Sequence, residues 1–356
     1  MVNQFRVYIG TYTKSDSEGI YVYQLDTSTG KLEPSSVTAG VNNPSFLAIH
    51  PTKRYLYAVA EQDEGGGAIN AYSIDSATGE LSYLNQQPTK TSGPCHLSVD
   101  ASGRVVVVAN YQGGAVTALL IGSDGRLSEA SDFIQHEGSS VNLERQQEPH
   151  PHSANMDPTN RYVLVPDLGL DKVVVYKLDT ATGRLTLNSD PGAKVSPGAG
   201  PRHFAFHPNG KWAYVINEIG STFTAFKYDG ARGALDETHT VSTLPDEFTD
   251  VSHCADCHVS PDGRFLYGSN RGHDSIVIFA IDPETGALSY VGHEPTGGKW
   301  PRNFAIDPTG SLLLAANEHS DDIVTFWIDR ETGKLRPTGH RAEVSSPVCL
   351  KLVPVS

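Results

Sequence analysis

The chain has 356 residues and a formal charge of −14, long enough for two average domains, although an all-β propeller of this length forms one. So acidic a balance argues against a general nucleic-acid or membrane-surface role, because both partners are polyanionic, while a local basic patch can still bind a small anion. Four cysteines, at positions 95, 254, 257 and 349, are too sparse for a disulfide scaffold and fit a reducing compartment. The Cys254-x-x-Cys257 pair has no second knuckle and opens a strand, so it reads as small core residues before it reads as a zinc or redox site. No metal or other cofactor is expected. The segment Met1–Ser15 shows no basic stretch followed by an apolar one, and no run nears the roughly 18 apolar residues of a membrane helix. The expectation is a cytoplasmic protein, monomer or small homo-oligomer, with no nucleic-acid or membrane partner.

The first predicted elements are strands over Phe5–Ile9 and Gly19–Leu25, closed by the turn Thr29-Gly30-Lys31-Leu32. A longer unit then repeats, beginning at Pro44, Pro94, Pro151, Pro201, Cys254 and Pro301. Its clearest copy, Pro201 to Phe226, reads as a strand, a Pro208-Asn209-Gly210 turn, an aromatic strand Trp212–Ile216 and a third strand from Thr222. Each unit ends in a Gly-x-Leu hairpin turn, and the leucines at 32, 81, 127, 185, 235, 288 and 335 lie 46 to 58 residues apart. Four antiparallel strands at that period are the mark of a β-propeller. The first unit lacks its innermost strand, and the tail Pro347–Val353 has the start of a unit with nothing after it. The tail therefore completes the first blade and closes the ring, removing exposed edges. An elongated β-solenoid has no use for a split repeat. The predicted fold is an all-β, seven-bladed propeller, one domain over residues 1–356.

Taking the strands of a blade as A to D, topology brings the start of A, the end of B and the D-to-A connection to one face, where A lines a central channel. The B-strand ends there are Glu61, Tyr111, Asp167, Glu218, Arg271 and Glu318, and the A-strand starts include His96, His152, Arg202, His203, Asp256, Arg302 and Asn303. Histidines, arginines and acids gathered at one mouth suggest a polar ligand and acid–base chemistry. Plainer readings stand beside this. A histidine there can be a hydrogen-bonding spacer, Glu218 can be ion-paired with Arg202 only to satisfy buried charge, and Arg271 can tie blades together. The longest connection, residues 138–149 before His150, reads either as a partial lid or as a solvated insertion, and a second, acidic connection spans residues 243–253.

The set His150-Pro151-His152-Ser153-Ala154, Gly200-Pro201-Arg202-His203, Asn217-Glu218, Pro261-Asp262-Gly263-Arg264 and Ser269-Asn270-Arg271-Gly272 resembles the lactonase family of seven-bladed propellers. That family includes bacterial 6-phosphogluconolactonase and a fungal carboxymuconate-cyclising enzyme. The likeness covers essentially the whole chain, and its set of motifs is specific where a single Pro-Asp-Gly-Arg turn is not. It implies metal-independent opening or closing of a lactone by a histidine, two arginines and a glutamate, which carry over to His152, Arg202, Arg271 and Glu218. His150 competes with His152 for the first role. His96, His150, His203, Asp256, Arg302 and Glu318 are the expected substrate-binding residues. Cys254-Ala255-Asp256 stands where the family commonly has an Ala-Ala-Glu type sequence, a departure that bears on substrate shape.

Lactone hydrolysis needs a base to activate water, donors for the oxyanion and a handle for the substrate's own anion. His152 is the expected base, Glu218 its orienting or second proton-handling group, and Arg202 with Arg271 the anion site. The expected substrate is a small anionic lactone, first of all 6-phosphoglucono-1,5-lactone. The alternatives are a muconate lactonising cyclase, a hydrolase of an unphosphorylated sugar lactone and, from another class, a non-catalytic propeller that binds a protein on its rim.

Overall fold

A computed structural model of the protein describes residues 4–13, 16–61 and 66–355. The N-terminal reading above draws partly on residues 1–3 and 14–15, which lie outside the described residues. Seven four-stranded antiparallel sheets form the blades of a seven-bladed β-propeller, as the repeat predicts. Blade 1 orders its strands Pro347–Pro354, Gln4–Thr11, Gly19–Asp26, Lys31–Ala39. The C-terminal strand pairs with the first along Phe5↔Pro354 to Gly10↔Cys349, so the two ends of the chain share one ladder. Blades 2 to 7 follow in chain order, each a meander of strands A to D.

The repeated residues explain one another. A buried tyrosine of strand B donates its hydroxyl to the glycine carbonyl of the C–D turn in the next blade: Tyr57 to Gly125, Tyr214 to Gly286 and Tyr267 to Gly333, at 3.1, 3.0 and 2.9 Å. Gly286 has φ +70°, and a Cβ there would lie 2.4 Å from the Trp212 ring, so the turn needs glycine for both its conformation and its close approach. At the A–B turns, buried Asp100, Asp157 and Asp307 each accept two backbone N–H bonds through Oδ1, fixing the entry to strand B.

Two compact units divide the chain. One, residues 1–39, 203–227 and 237–356, packs Leu, Ile, Val and aromatic side chains between successive blades, for example Trp212, Tyr214 and Phe223 with Leu266 and Phe279. In it the A strands of blades 6, 7 and 1 lie side by side. The other, residues 40–202 and 228–236, packs Val105, Val107 and Val116 against Val163, Val165 and Tyr176, with the A strands of blades 2, 3 and 4 adjacent.

The A strands depart from regularity at their starts. The register slips between Pro94 and His96, between Cys254 and Cys257, and between Pro301 and Asn303. A bulge breaks the period-two alternation, so consecutive residues there need not face opposite sides. Blade 4 departs furthest. Its A strand, expected from Pro151, is only Asn155–Met156, with an isolated Pro151↔Asp167 bridge before it, so His152 sits ahead of the strand. Proline at 151 offers no N–H to a ladder.

Candidate active site

Strand B ends alike in four blades. Asn110, Asn217, Asn270 and Asn317 are fully buried and use Nδ2 to hold nearby turn or connection groups, such as the Thr222 and Thr224 hydroxyls for Asn217. The asparagine is therefore a lock, and the residue after it stands beyond the ladder at Tyr111, Glu218 and Glu318, while Arg271 still pairs with His253 as the last residue of its strand.

In the unit of residues 40–202, Tyr111 organises two candidate histidines. Its ring stacks on His150, with centroids 4.3 Å apart and an interplanar angle of 12°, and meets His152 edge-on at 5.1 Å. His150 Nδ1 lies 2.9 Å from the Tyr111 carbonyl, which can only accept, so Nδ1 carries the proton and Nε2 is the basic nitrogen. His152 is buried beside Cys95, whose Sγ lies 3.8 Å from its Nδ1. His96 rests on Phe46 and accepts the Ala154 N–H at Nδ1. Arg202 is 2% exposed, and its carbonyl accepts the Ser153 hydroxyl at 2.8 Å, linking two sequence motifs.

The segment bearing both histidines is held from behind. Asp167, fully buried, accepts the His150 N–H at 2.8 Å through Oδ1 and binds His136 Nδ1 at 2.6 Å through Oδ2. Nε2 of His136 meets the Tyr176 hydroxyl at 2.7 Å. Burial and the nearby Asp167 charge push the Tyr176 phenol above its ordinary pKa, keeping it a hydrogen-bond donor. The connection 138–149 is anchored: buried Gln146 donates to the Leu168 carbonyl at 2.8 Å and Arg145 to the Tyr111 hydroxyl at 3.2 Å. It passes so near Gly169 that a Cβ there would lie 1.9 Å from the Glu148 carbonyl oxygen.

In the other unit, Glu218 and Arg271 form a buried ion pair at 2.9 Å, a partner for Glu218 that the sequence reading did not name. Arg271 also donates to the Cys254 carbonyl at 2.7 Å and lies over the Trp300 ring, 5.5 Å from its centroid. Burial lowers the guanidinium pKa and Arg302 pushes the same way, while Glu218 opposes both. Arg302 donates to the Tyr12 hydroxyl at 2.8 Å and lies 3.9 Å from Glu318. Oε2 of Glu318, the oxygen that faces Arg302, is buried and makes no hydrogen bond among the described residues.

Asp256 is differently placed. Its carboxylate binds His203 Nδ1 at 2.7 Å, His258 Nε2 at 2.9 Å, the Cys257 N–H and the Asn303 amide. Burial opposes its ionisation, but His258 and His203 outweigh that and hold the carboxyl well below the usual range. Its acceptor sites are filled by these four partners, so the structure brings Asp256 together with His203 and His258. Tyr12, Trp300 and His136 escaped the sequence reading. Their positions carry no mark in the repeat, unlike Tyr111, Glu218, Arg271 and Glu318, each of which follows a strand-B asparagine. Among the described residues no cluster of three or more His, Cys, Asp or Glu side chains could hold a metal ion, and no helix is long and apolar enough to cross a membrane. All four cysteines are buried free thiols, so Cys254 and Cys257 are core residues.

Residues 6–352 match the family model described as lactonase, 7-bladed beta-propeller. The chain is 41% identical over 300 residues to the 6-phosphogluconolactonase of Bacillus subtilis, covering 84% of each chain. It is 38% identical over 307 residues to that of Formosa agariphila, covering 85% of this chain and 86% of the relative. The solved structure of the Pseudomonas aeruginosa periplasmic gluconolactonase superposes with a TM-score of 0.94 at 34% identity, covering 99% of this chain and all of that one, 100%. The chain belongs to the lactonase family of seven-bladed β-propellers.

Proposed function

We propose that the protein is a lactone hydrolase that opens 6-phosphoglucono-1,5-lactone to 6-phosphogluconate, acting as one propeller domain. The observation that carries this reading is the set of buried charged and imidazole groups at the A-strand starts and B-strand ends, in a chain with 6-phosphogluconolactonases among its relatives. His152 takes the proton of a water as its oxygen attacks the lactone carbonyl. The tetrahedral oxyanion is met by arginine N–H groups, the ring C–O bond breaks, and the released alkoxide takes the proton back from the imidazolium. Proton transfer of this kind contributes about 10²–10⁴-fold. Arg202 and Arg271 bind the developing and the permanent anionic charge, for which the guanidinium fork is suited. Glu218, salt-bridged to Arg271, holds that arginine in place. His150, with Nε2 basic, is the second candidate base.

The Glu318 carboxylate, ion-paired with Arg302, favours a hydroxyl-bearing sugar lactone over a muconate, because it accepts a hydroxyl's hydrogen bond and repels a second carboxylate. It equally suits an unphosphorylated aldonolactone, the substrate class named for the Pseudomonas relative. A cytoplasmic location rests on the buried free thiols, and cell fractionation checks it against the periplasmic relative. The test of function is a pH-controlled assay with freshly made 6-phosphoglucono-1,5-lactone and glucono-1,5-lactone. Turnover above spontaneous hydrolysis is expected, with the higher kcat/KM for the phosphorylated substrate. His152→Ala and His150→Ala identify the base by which one removes the imidazole limb of the pH–rate profile. A wild-type rate equal to the spontaneous rate contradicts the reading.

A further inference from the structure

Bordered by His136 and Tyr176, behind the segment that bears the candidate histidines, the flank of blade 4 opens into a cavity of about 470 Å³, within the range of small-ligand pockets. Ile134, Leu170, Tyr176 and Leu187 give it apolar walls, and Lys172 and Lys194 stand on its rim. A local break in the repeat accompanies it. Along the C–D ladder of blade 4, Val174 pairs with Gly192 and Tyr176 with Leu187, so two steps on strand C answer five on strand D. In blade 6 the same step is one against two, Ile278 with Gly292 and Phe279 with Tyr290. Blade 7 has two against four, Val324 with Arg341 and Phe326 with Pro337, so the blade 4 bulge is the wider by one residue of strand D, and beside it Leu187 is 56% exposed.

The rim charges are unusual for so acidic a chain. Lys172 and Lys194 are direct partners across the ladder, a placement that costs stability when both are cationic. Neither forms an ion pair among the described residues, and Glu137 is the single acid lining the same cavity. A repelling pair above an apolar hollow suits an anion with a hydrophobic body. The hydroxyl of Tyr176 is engaged by His136, so its ring is what the cavity receives.

We propose that this cavity is a second ligand site, for a small amphipathic carboxylate whose ring or short alkyl body lies among Ile134, Leu170, Tyr176 and Leu187 and whose carboxylate lies between Lys172 and Lys194. It is independent of the lactonase reading. Calorimetric titration of the purified full chain with phenylacetate and with neutral phenylacetamide tests it. The expected result is saturable 1:1 binding, with phenylacetate about tenfold tighter, since two exposed charge pairs contribute modestly. Lys172→Glu/Lys194→Glu should erase that preference, Leu187→Asp should weaken both ligands, and Arg202→Ala should change neither. The absence of saturable binding overturns the proposal. So does phenylacetate binding that survives the lysine substitutions but is lost in Arg202→Ala, which assigns the anion to the arginines of the candidate active site.

Discussion

Strand A of blade 5 has a histidine near each end, and the two are held in different ways. His207, at the A–B turn, accepts the Asn209 N–H at Nδ1 and sends Nε2 to the Gly263 carbonyl of the next blade, 2.9 Å away. His50 repeats this in blade 2 with Gly103, so the arrangement belongs to the scaffold. His203, four residues earlier, pairs with the buried Asp256 carboxylate of the next blade. At the turn end the histidine is satisfied by backbone groups, as in blade 2. At the other end His203 is satisfied by a buried charged side chain, so removing that side chain exposes charge and changes chemistry.

The sharpest way to break this contrast is to unpair the charged end. Glu218→Ala leaves Arg271 buried without its carboxylate and should cost about 3–5 kcal/mol in denaturant unfolding, together with most of the lactonase activity. At the turn end, Asp307→Ala strands the Ser311 and Leu312 N–H groups and should cost about 2–3 kcal/mol while kcat/KM stays within twofold of wild type. Asp167→Asn lies between the two cases. It keeps an acceptor for the His150 N–H but upsets the bond to His136, so kcat should fall about tenfold with little change in KM. A lower melting temperature with unchanged kcat would reduce Asp167 to architecture.

Smaller effects sharpen the same contrast. The folded-state carboxyl of Asp256 lies below its ordinary value of 3.8, so its stabilisation is fully present above about pH 5 and is lost as pH falls through and below that value. The stability gap between wild type and Asp256→Asn should therefore narrow in thermal melts taken from pH 6 to pH 3. Burial pushes the Cys254 thiol up to about 12, and all four thiols are buried. A thiol reagent at pH 8 should leave the native protein unmodified and label all four cysteines after unfolding.

Much of the scaffold was legible because it recurs. Period, turn chemistry and the unfinished tail led to seven blades, and the tyrosines of strand B and the glycines of the C–D turns are now seen to be hydrogen-bonded partners. Position within the repeat also separated Arg202 and Glu218 from their architectural neighbours. Partner choice was not legible. Glu218 meets Arg271 53 residues on, and His136 meets Asp167 across 31, because register and side-chain rotamer decide such pairs and periodicity does not. Blade 4 hid most. Its shortened strand A at Pro151 and its wide bulge at Gly192 are departures from the rule by which the other blades were read.

The central claim is that residues which break the repeat carry the chemistry. Its most direct test is kcat/KM for 6-phosphoglucono-1,5-lactone in His152→Ala, corrected for spontaneous hydrolysis and compared with wild type at equal folded fraction. The account predicts a loss of about 10²–10⁴-fold. A His152→Ala enzyme that keeps the wild-type rate and pH profile would contradict it.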